Sequence, residues 1–296
     1  MNASLDQIEI GVDVGGTFTD FVCRFPDHSC VALKVPSDRK DPGQAVLGGL
    51  LKLAAAHQIQ LQNVTRFTHG TTVATNAVIE RTGAKIALLT TAGFRDVLEI
   101  GRQGRSELYQ LELKPEAPVF LAPRERRWEI RERLRASGAV DTPLSEQSVA
   151  EAVEGLASRG IESVAICLLY SFLDPTHERR AREIVTASNP ALAVSISSDV
   201  DPAFREYERT VATCFDAYIK PVVDGYLSRL SEGLKQIAVD APLQVMQSRG
   251  GLAAEHIARH RPVRLFLSGP AAGVIGASAA AARCPASALM GPNRLN

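Results

Sequence analysis

The strongest constraint on the fold is a pair of glycines between two short β-rich segments near the start of the chain. Residues 8–14 read IEIGVDV, the turn contains Gly15 and Gly16, and residues 19–25 read TDFVCRF. Polar and apolar side chains that alternate with a period of two are typical of half-buried strands. The sequence therefore predicts a β-hairpin, which residues 30–35 extend into a three-stranded antiparallel meander.

The glycine turn differs from the two most familiar phosphate loops. A Walker loop carries a lysine after its last glycine, and both Walker and dinucleotide loops run directly into a helix. Neither feature occurs here, because the residues after Thr17 continue as a strand. Glycine allows the backbone to approach a phosphate closely. We therefore predict a hairpin that binds phosphate, with an ordinary glycine hairpin as the alternative.

Three side chains of this hairpin have the chemistry of a magnesium–phosphate site. Asp13 precedes the glycines and is predicted to hold Mg²⁺ through water, since this ion keeps much of its hydration shell in proteins. The hydroxyl groups of Thr17 and Thr19 are predicted to donate hydrogen bonds to phosphate oxygens.

Helical and strand patterns alternate through the next part of the chain. The predicted helices cover residues 42–57, 72–81, 145–159 and 175–187, and the predicted strands cover 64–68, 85–90, 161–168 and 191–197. Such alternation is typical of an α/β layer fold with a partly parallel sheet. Gly83 is the predicted stop of the second helix, and residues 101–123 are a predicted surface loop.

The last third of the chain has a different pattern. A long helix is predicted over residues 204–234, with a kink or a break at Pro221. Strands are predicted at 243–247 and 263–267, each followed by a glycine-rich turn.

Composition excludes several classes of function. The chain has 296 residues, and its 33 basic residues equal its 33 acidic residues, so no net field favours nucleic acid. No run of about 18 apolar residues and no secretory leader pattern occurs, so we predict a cytoplasmic protein that spans no membrane. The five cysteines form no C-x-x-C pair and are predicted to be buried free thiols. His256 and His260 have metal-ligand spacing, but too few further ligands accompany them for a predicted metal site.

Three further motifs contain candidate site residues. The stretch HGTTVATN lies on a predicted strand-to-helix turn, where free helix N–H groups attract anions. Contact with substrate or phosphate is predicted for four of its residues: His69, Thr71, Thr72 and Asn76. The alternative is that the threonines cap the helix and the histidine packs beside it.

The other two motifs leave their alternatives open. In LSGPAAG, a predicted strand-turn-helix, Ser268 and Gly269 either contact a ligand or allow tight helix packing. In FREYERT, residues 204–210, the dense charges indicate either a salt-bridge cluster between domains or a catalytic role.

These motifs resemble the ATP-dependent hydantoinase and 5-oxoprolinase family. GVDVGGTFTD, FTHGTTVATNAVIERTGAKIALLTTAGFRDVLEIGRQ, LLYSFLDPTHERRAREI, SSDVDPAFREYERTVAT, QSRGG and LSGPAAGVIGA occur in family order over residues 8–277. The resemblance implies an α/β nucleotide-binding fold of the actin, sugar-kinase and ribonuclease H-like type, whose two halves close over ATP. Residues matching the first phosphate motif are Asp13, Gly15, Gly16, Thr17 and Thr19.

The resemblance also implies a domain organisation. Residues 5–198 correspond to the N-terminal hydantoinase/oxoprolinase domain, residues 199–277 to the start of the central hydantoinase A domain, and residues 278–296 to a tail outside the family pattern. In such families a second loop of the DxGGTxxD kind completes the phosphate site. No such loop occurs in this sequence, so we expect a shortened N-terminal portion that is inactive alone.

The activity implied by the resemblance is ATP-dependent opening of a cyclic amide such as hydantoin, N-methylhydantoin or 5-oxoproline. The amide oxygen is phosphorylated, with Asp13 and His69 as catalytic residues, Mg²⁺ beside ATP, and a second, hydantoinase B-type subunit as partner. Two other functions stay open: a small-molecule kinase of the same fold, and a silent remnant that binds a partner or ligand without turnover.

Overall fold

The structure is a computed structural model that describes residues 7–38, 40–104, 118 and 120–282. Most of the predicted surface loop at 101–123 lies outside these residues, as do Cys284 and the end of the predicted tail.

The strands are β1 (Ile8–Val14), β2 (Phe18–Arg24), β3 (Cys30–Pro36), β4 (Val64–Thr71), β5 (Ile86–Thr91), β6 (Arg127–Ile130), β7 (Arg133–Leu134), β8 (Val140–Thr142), β9 (Ser163–Cys167), β10 (Ala193–Ile196), β11 (Leu243–Met246) and β12 (Leu252–Ala254).

The helices follow most of the predicted segments. They are α1 (Pro42–His57), α2 (Val73–Ile79), α3 (Val97–Ile100), α4 (Glu146–Ala157), α5 (Thr176–Ser188), α6 (Ser197–Val200), α7 (Glu206–Gln236), α8 (Glu255–His260) and α9 (Ser268–Ala281). The described residues divide into two compact units. The first unit contains residues 7–76, 226–259 and 264–282, and the second contains 77–225 and 260–263.

The first unit is built on a six-stranded mixed sheet in the order β12-β11-β4-β1-β2-β3. The pairs β1–β2 and β2–β3 are antiparallel, which confirms the predicted meander. Strand β4 runs parallel to both β1 and β11, and β11 pairs antiparallel with β12. Helix α1 begins at Pro42, as predicted, because proline suits the first turn and the Asp41 side chain accepts a hydrogen bond from the Gln44 N–H. It packs against the meander through Val46, Leu50 and Leu53.

Two adjacent glycines in α1 lie in very different surroundings. A Cβ at Gly49 would lie 2.3 Å from Cζ of the buried Phe21 ring, whereas a Cβ at Gly48 meets nothing within 4 Å. We expect Gly49→Ala to lower the free energy of unfolding by about 1–3 kcal/mol through overpacking. Gly48→Ala should raise it by up to about 1 kcal/mol, because alanine favours helix. Urea unfolding of both variants checks this, and a stabilised Gly49→Ala protein would contradict it.

The second unit contains a four-stranded parallel sheet in the order β10-β9-β5-β6. Helices α4 and α5 pack beside it, and their apolar side chains join those of the strands in one core. The buried members of that core include Leu89, Val149, Leu156, Ile166 and Val185. The predicted α/β layer fold with a partly parallel sheet is therefore confirmed. The predicted domain division at residue 199 is a statement about family boundaries and stays a prediction.

The predicted strand at 263–267 is wrong. Residues Pro262–Leu265 form a 3₁₀ turn, and Leu267 has a left-handed backbone with a φ of 55° before α9 begins. Proline has no N–H for a strand ladder, and the Val263 N–H donates to the Asp216 carboxylate instead. The apolar run was too short to distinguish a strand from a turn by pattern alone.

Two predicted helix interruptions also differ from the structure. Helix α7 continues through Pro221, so the predicted break is wrong, whereas the alternative of a kink stays a prediction. Buried residues on both sides of the proline, among them Ile219 and Val223, hold the helix in place. Helix α2 ends at Ile79 and not at Gly83. Gly83 instead allows the Tyr218 ring to lie close to the backbone, since a Cβ at residue 83 would lie 2.2 Å from that ring.

The cysteine prediction holds for three residues and fails for one. Cys23, Cys167 and Cys214 are buried free thiols, but Cys30, the first residue of β3, is exposed. In the described parts of the chain, no helix combines the length and apolar character needed to cross a membrane.

Helix α9 is apolar on every side and carries no charged residue. Apart from Ser268 its residues are exposed or only partly buried, and Val274 is 71% exposed. A helix of this composition is normally found buried.

Candidate functional site

The glycine loop is the turn between β1 and β2, as the sequence predicted. The Gly15 N–H donates to the Phe18 carbonyl oxygen at 3.0 Å, which closes the turn. A Cβ at Gly15 would lie 3.1 Å from that same oxygen, so the turn is tight enough to favour glycine. Gly16 and Thr17 are exposed. The loop therefore presents a short exposed stretch of backbone at the carboxyl end of β1.

The HGTT motif ends at the same edge of the sheet. Val14 pairs with Thr71 in the parallel β1–β4 register, and the Thr72 N–H and hydroxyl both donate to the Val14 carbonyl oxygen, at 3.3 and 3.1 Å. The Thr71 hydroxyl oxygen accepts from the Val73 N–H, and the Asn76 amide donates to the Thr72 hydroxyl oxygen. These local bonds agree with the capping role that the sequence left as the alternative.

The LSGPAAG motif contains the start of α9, which lies at this edge. The Ser268 hydroxyl is buried and donates to the Thr71 carbonyl oxygen at 3.1 Å. Gly269 follows it in the first turn of α9, and a Cβ there would meet nothing within 4 Å. The predicted site residues of these three motifs all lie in the first unit, and its sheet brings the glycine loop, the HGTT turn and the start of α9 to one edge. The FREYERT residues lie in the second unit.

Asp13 lies on the exposed side of the sheet beside two residues that the sequence analysis did not single out. In the strand registers it pairs with Asp20 of β2 and with Gly70 of β4. A Cβ at Gly70 would lie 2.7 Å from Asp13 Oδ1, so only glycine leaves room for the carboxylate in this position. Partial desolvation, together with the facing Asp20 carboxylate, raises the pKa of Asp13 above its usual value. A divalent cation would relieve this repulsion.

His69 lies on the opposite, buried side of β4 and is 0% exposed. Its Nε2 lies 2.8 Å from the Tyr226 hydroxyl, and its Nδ1 has no hydrogen-bond partner among the residues that the structure describes. Burial lowers the pKa of His69 from 6.5 to about 4, so the ring is neutral near pH 7. The predicted catalytic role of His69 is untested, but this position argues against direct contact with a bound substrate.

The buried His69 ring makes the stability of the protein depend on pH. Between pH 6.5 and 4 the unfolded chain binds a proton at this ring that the folded chain does not bind. The contribution of the neutral His69 ring to the free energy of unfolding is therefore fully present above pH 6.5. As the pH falls towards 4, the free energy of unfolding decreases by on the order of 3 kcal/mol because of this ring. We expect His69→Gln to flatten the pH dependence of urea unfolding between pH 4.5 and 7, and an unchanged slope would contradict this.

Thr19 also lies on the buried side of its strand. It is 0% exposed, and its hydroxyl lies 2.9 Å from the Ser37 hydroxyl. The prediction that Thr19 donates to phosphate is therefore corrected, because strand alternation directs its side chain inwards with Phe21. Thr17 remains exposed in the loop. Ser37 carries no motif signal in the sequence, since its role arises from a contact between residues far apart in the chain.

One of the FREYERT charges, Arg209, belongs to a buried network in the second unit. Arg209 is 0% exposed, and its guanidinium donates to the Ser171 hydroxyl and to the Leu168 carbonyl oxygen, the latter at 2.7 Å. The Ser171 hydroxyl donates to Glu178 at 2.8 Å, and Glu178 is also fully buried. A surface ion pair joins Glu208 to Arg102 at 2.7 Å. The buried members therefore tie α7 to the loop after β9.

A further buried pair lies in this unit. Glu132 accepts from the Thr91 hydroxyl, and its other oxygen lies 2.8 Å from His177 Nδ1. Across the described ranges no group of three or more histidine, cysteine, aspartate or glutamate side chains is placed to hold a metal ion.

Comparison with known proteins identifies the family. Residues 9–188 match the family model for the hydantoinase/oxoprolinase N-terminal region, and residues 209–289 match the hydantoinase/oxoprolinase model. The chain belongs to the hydantoinase/oxoprolinase family. The match is to part of each relative, since the chain spans about two fifths of the relatives discussed next, or less.

Two of the similar proteins are named after cyclic amides. The caprolactamase subunit alpha of Pseudomonas jessenii is 34% identical over 273 residues, which cover 90% of this chain and 39% of the relative. The 5-oxoprolinase of Saccharomyces cerevisiae is 33% identical over 316 residues, which cover 92% of this chain and 24% of the relative.

Solved structures agree with this assignment. The ATP-dependent caprolactamase of Pseudomonas jessenii superimposes with a TM-score of 0.80 at 34% identity, covering 89% of this chain and 39% of that chain. A nucleotide-free acetone carboxylase, from work on ATP-dependent acetone carboxylation, gives a TM-score of 0.81 at 26% identity, covering 93% of this chain and 40% of that chain.

Proposed function

We propose that this chain is the N-terminal part of an ATP-dependent cyclic-amide hydrolase, and that its glycine loop binds the phosphates of ATP. The observation that carries the proposal is the carboxyl end of β1, where the exposed Asp13 is followed by the exposed loop residues Gly16 and Thr17. The caprolactamase and 5-oxoprolinase relatives support the substrate class. The first unit corresponds in this proposal to one half of an actin-like, ribonuclease H-like fold.

The donor set around Asp13 fits a hydrated magnesium ion. Two facing carboxylates, Asp13 and Asp20, supply the oxygen ligands that Mg²⁺ prefers, and the ion commonly takes only one or two carboxylates beside waters and phosphates. Because Gly70 has no side chain, it leaves room for the Asp13 carboxylate. In the proposed complex Asp13 orients the hydrated ion, and the loop backbone with Thr17 holds the phosphates.

ATP solves a chemical problem that an unstrained amide poses. Resonance makes the carbonyl a poor electrophile, and transfer of the γ-phosphoryl group to the amide oxygen makes an imidate-like phosphate whose carbon water can attack. Loss of the ring nitrogen from that adduct opens the ring, and hydrolysis of the resulting acyl phosphate leaves a carboxylate and orthophosphate. The residues of this chain contribute positioning and charge stabilisation, which are the main contributions of a protein to phosphoryl transfer. We assign His69 to support of the HGTT turn through Tyr226, and not to contact with substrate.

The proposal includes a second half for the site and a second subunit. The relatives matched here are longer chains, and one of them is a subunit alpha by name. We therefore propose that residues 1–296 by themselves bind ATP weakly, and that turnover needs the further part of the fold that the longer relatives carry, together with a hydantoinase B-type partner. The acetone carboxylase match supports an ATP-dependent carboxylase as the second candidate.

Amide shifts of the whole chain in NMR spectra test the proposal even if binding is weak. We expect Mg²⁺ with ATP to shift the signals of Gly15, Gly16 and Thr17 in a saturable way, and ATP with EDTA to shift them less. Absence of shifts in the loop at millimolar MgATP, or shifts confined to the second unit, would overturn the assignment.

Products distinguish the candidate reactions once turnover is reconstituted with a partner. A cyclic-amide hydrolase releases orthophosphate together with a ring-opened amino acid, whereas a kinase releases a phosphorylated small molecule. A carboxylase consumes ATP only when bicarbonate and a ketone are both present.

A further inference from the structure

Ser37, the residue after β3, contacts the glycine loop at both of its ends. Its hydroxyl donates to the Gly15 carbonyl oxygen at 2.8 Å, and its N–H donates to the Thr17 carbonyl oxygen at 2.9 Å. One residue that lies 22 positions from Gly15 in the sequence therefore binds the first and the last residue of the loop.

The direction of the hydrogen bonds follows from the chemistry of the groups. A carbonyl oxygen only accepts, so the single hydroxyl proton of Ser37 goes to Gly15. The contact of 2.9 Å between the two hydroxyl groups must then be a donation from Thr19 to Ser37. The result is a series of two hydrogen bonds, from Thr19 to Ser37 and from Ser37 to Gly15, in which each hydrogen bond polarises the other.

Both hydroxyl groups are held by the fold itself. Thr19 is 0% exposed and lies on the buried side of β2, and Ser37 is half-buried at the end of β3. Thr19 pairs with Val35 in the antiparallel register of these two strands, which brings the hydroxyl groups together. The meander therefore holds two hydrogen-bonded hydroxyl groups in fixed positions, and one of them contacts the loop.

We propose that Ser37, held by Thr19, is a positioning residue that sets the conformation of the glycine loop for phosphate. The inference rests on the proposed nucleotide function of that loop. A planar peptide group has its C=O and N–H on opposite sides. Fixing the Gly15 carbonyl oxygen therefore fixes the whole peptide group between Gly15 and Gly16, the part of the backbone that two glycines would otherwise leave most variable.

The first test measures the loop without any nucleotide. Ser37→Ala is expected to make the amides of Gly15–Phe18 exchange hydrogen about tenfold faster, because the loop loses the hydrogen bond from the Ser37 hydroxyl to the Gly15 carbonyl oxygen. Ser29→Ala is the matched control: Ser29 lies in the exposed β2–β3 turn, and its hydroxyl donates to the Asp27 carboxylate. Unchanged exchange in a folded Ser37→Ala protein overturns the inference.

The second test measures MgATP affinity by the NMR titration of the same loop amides. We expect Ser37→Ala to weaken binding about tenfold, Thr19→Val to weaken it less, and Ser37→Thr to restore it by restoring the hydroxyl. Ser29→Ala should bind like the parent protein. Equal affinity of Ser37→Ala and the parent protein, or no rescue by threonine, overturns the inference. If Ser37→Ala does not fold, the MgATP affinities of Thr19→Val and Ser37→Thr are compared instead. Weaker binding by Thr19→Val supports the inference, and equal binding by the two variants overturns it.

The two tests separate this inference from the proposed function. If the parent chain shows no MgATP shifts in the loop, the proposed function fails, and amide exchange alone decides whether Ser37 fixes the loop. If the parent chain binds MgATP and Ser37→Ala binds equally well, the proposed function stands and the inference about Ser37 fails.

Discussion

Replacing Arg209 by methionine is expected to lower the stability of the second unit by about 3–5 kcal/mol, because it removes the buried cation that the Ser171 hydroxyl links to a buried carboxylate. Arg209 and Glu178 are both 0% exposed, and Ser171 connects them. Methionine fills a similar volume, so the expected loss arises mainly from charge. The chain has a single tryptophan, Trp128 on β6, and its fluorescence reports urea unfolding of this unit.

Arg180→Met is the matched control for Arg209→Met. Arg180 makes more ion pairs in the structure, with Glu146 at 2.7 Å and Glu183 at 2.9 Å, but its side chain is about half exposed. Water screens exposed pairs, so this change should cost less than about 1 kcal/mol. Equal losses for the two variants would show that the buried network does not hold the unit together.

The second large effect is expected at Gly70, which leaves the space for Asp13. A Cβ at residue 70 would lie 2.7 Å from Asp13 Oδ1, and that contact forces the carboxylate or the strand to move. We expect Gly70→Ala to weaken Mg²⁺-dependent ATP binding by about 10–100-fold, the range that misplacement of a charged ligand group produces. The measurement is the NMR titration of the loop amides, with and without Mg²⁺.

Gly11→Ala provides the control on the same side of the same sheet. A Cβ at Gly11 would meet nothing within 4 Å, so this variant has the same change in backbone entropy without the contact. We expect Gly11→Ala to bind MgATP like the parent protein. A similar loss of affinity in both variants would point to a general effect on the strands and not to Asp13.

The position of His69 illustrates the limit of motif reasoning. Its motif predicted either a ligand contact or a packed side chain, and both readings fit the residues HGTT equally well. The choice depends on what covers the strand, here Tyr226 of α7, which lies 157 residues away in the sequence. No local pattern encodes that contact, so the sequence alone left the role open.

The glycines show the same division between local and distant causes. The turn at Gly15 and Gly16 was predictable, because two alternating segments flank it. The need for glycine at residues 49, 70 and 83 was not, since in each case the reason is a side chain from another element of the fold. The wrong helix stop at Gly83 follows directly from reading a packing glycine as a local signal.

The sequence by itself determined the elements whose causes are local: the β1–β2 hairpin, the start of α1 at Pro42, the alternation of strands and helices, and the family. Only the tertiary structure decided which side of each strand is buried, that α7 continues through Pro221, and that residues 262–267 form no strand. The physical reason is that backbone propensity acts within a few residues, whereas burial and hydrogen bonding join residues far apart. Ser37 is the clearest case, because its contacts with Thr19 and Gly15 exist only in the folded sheet.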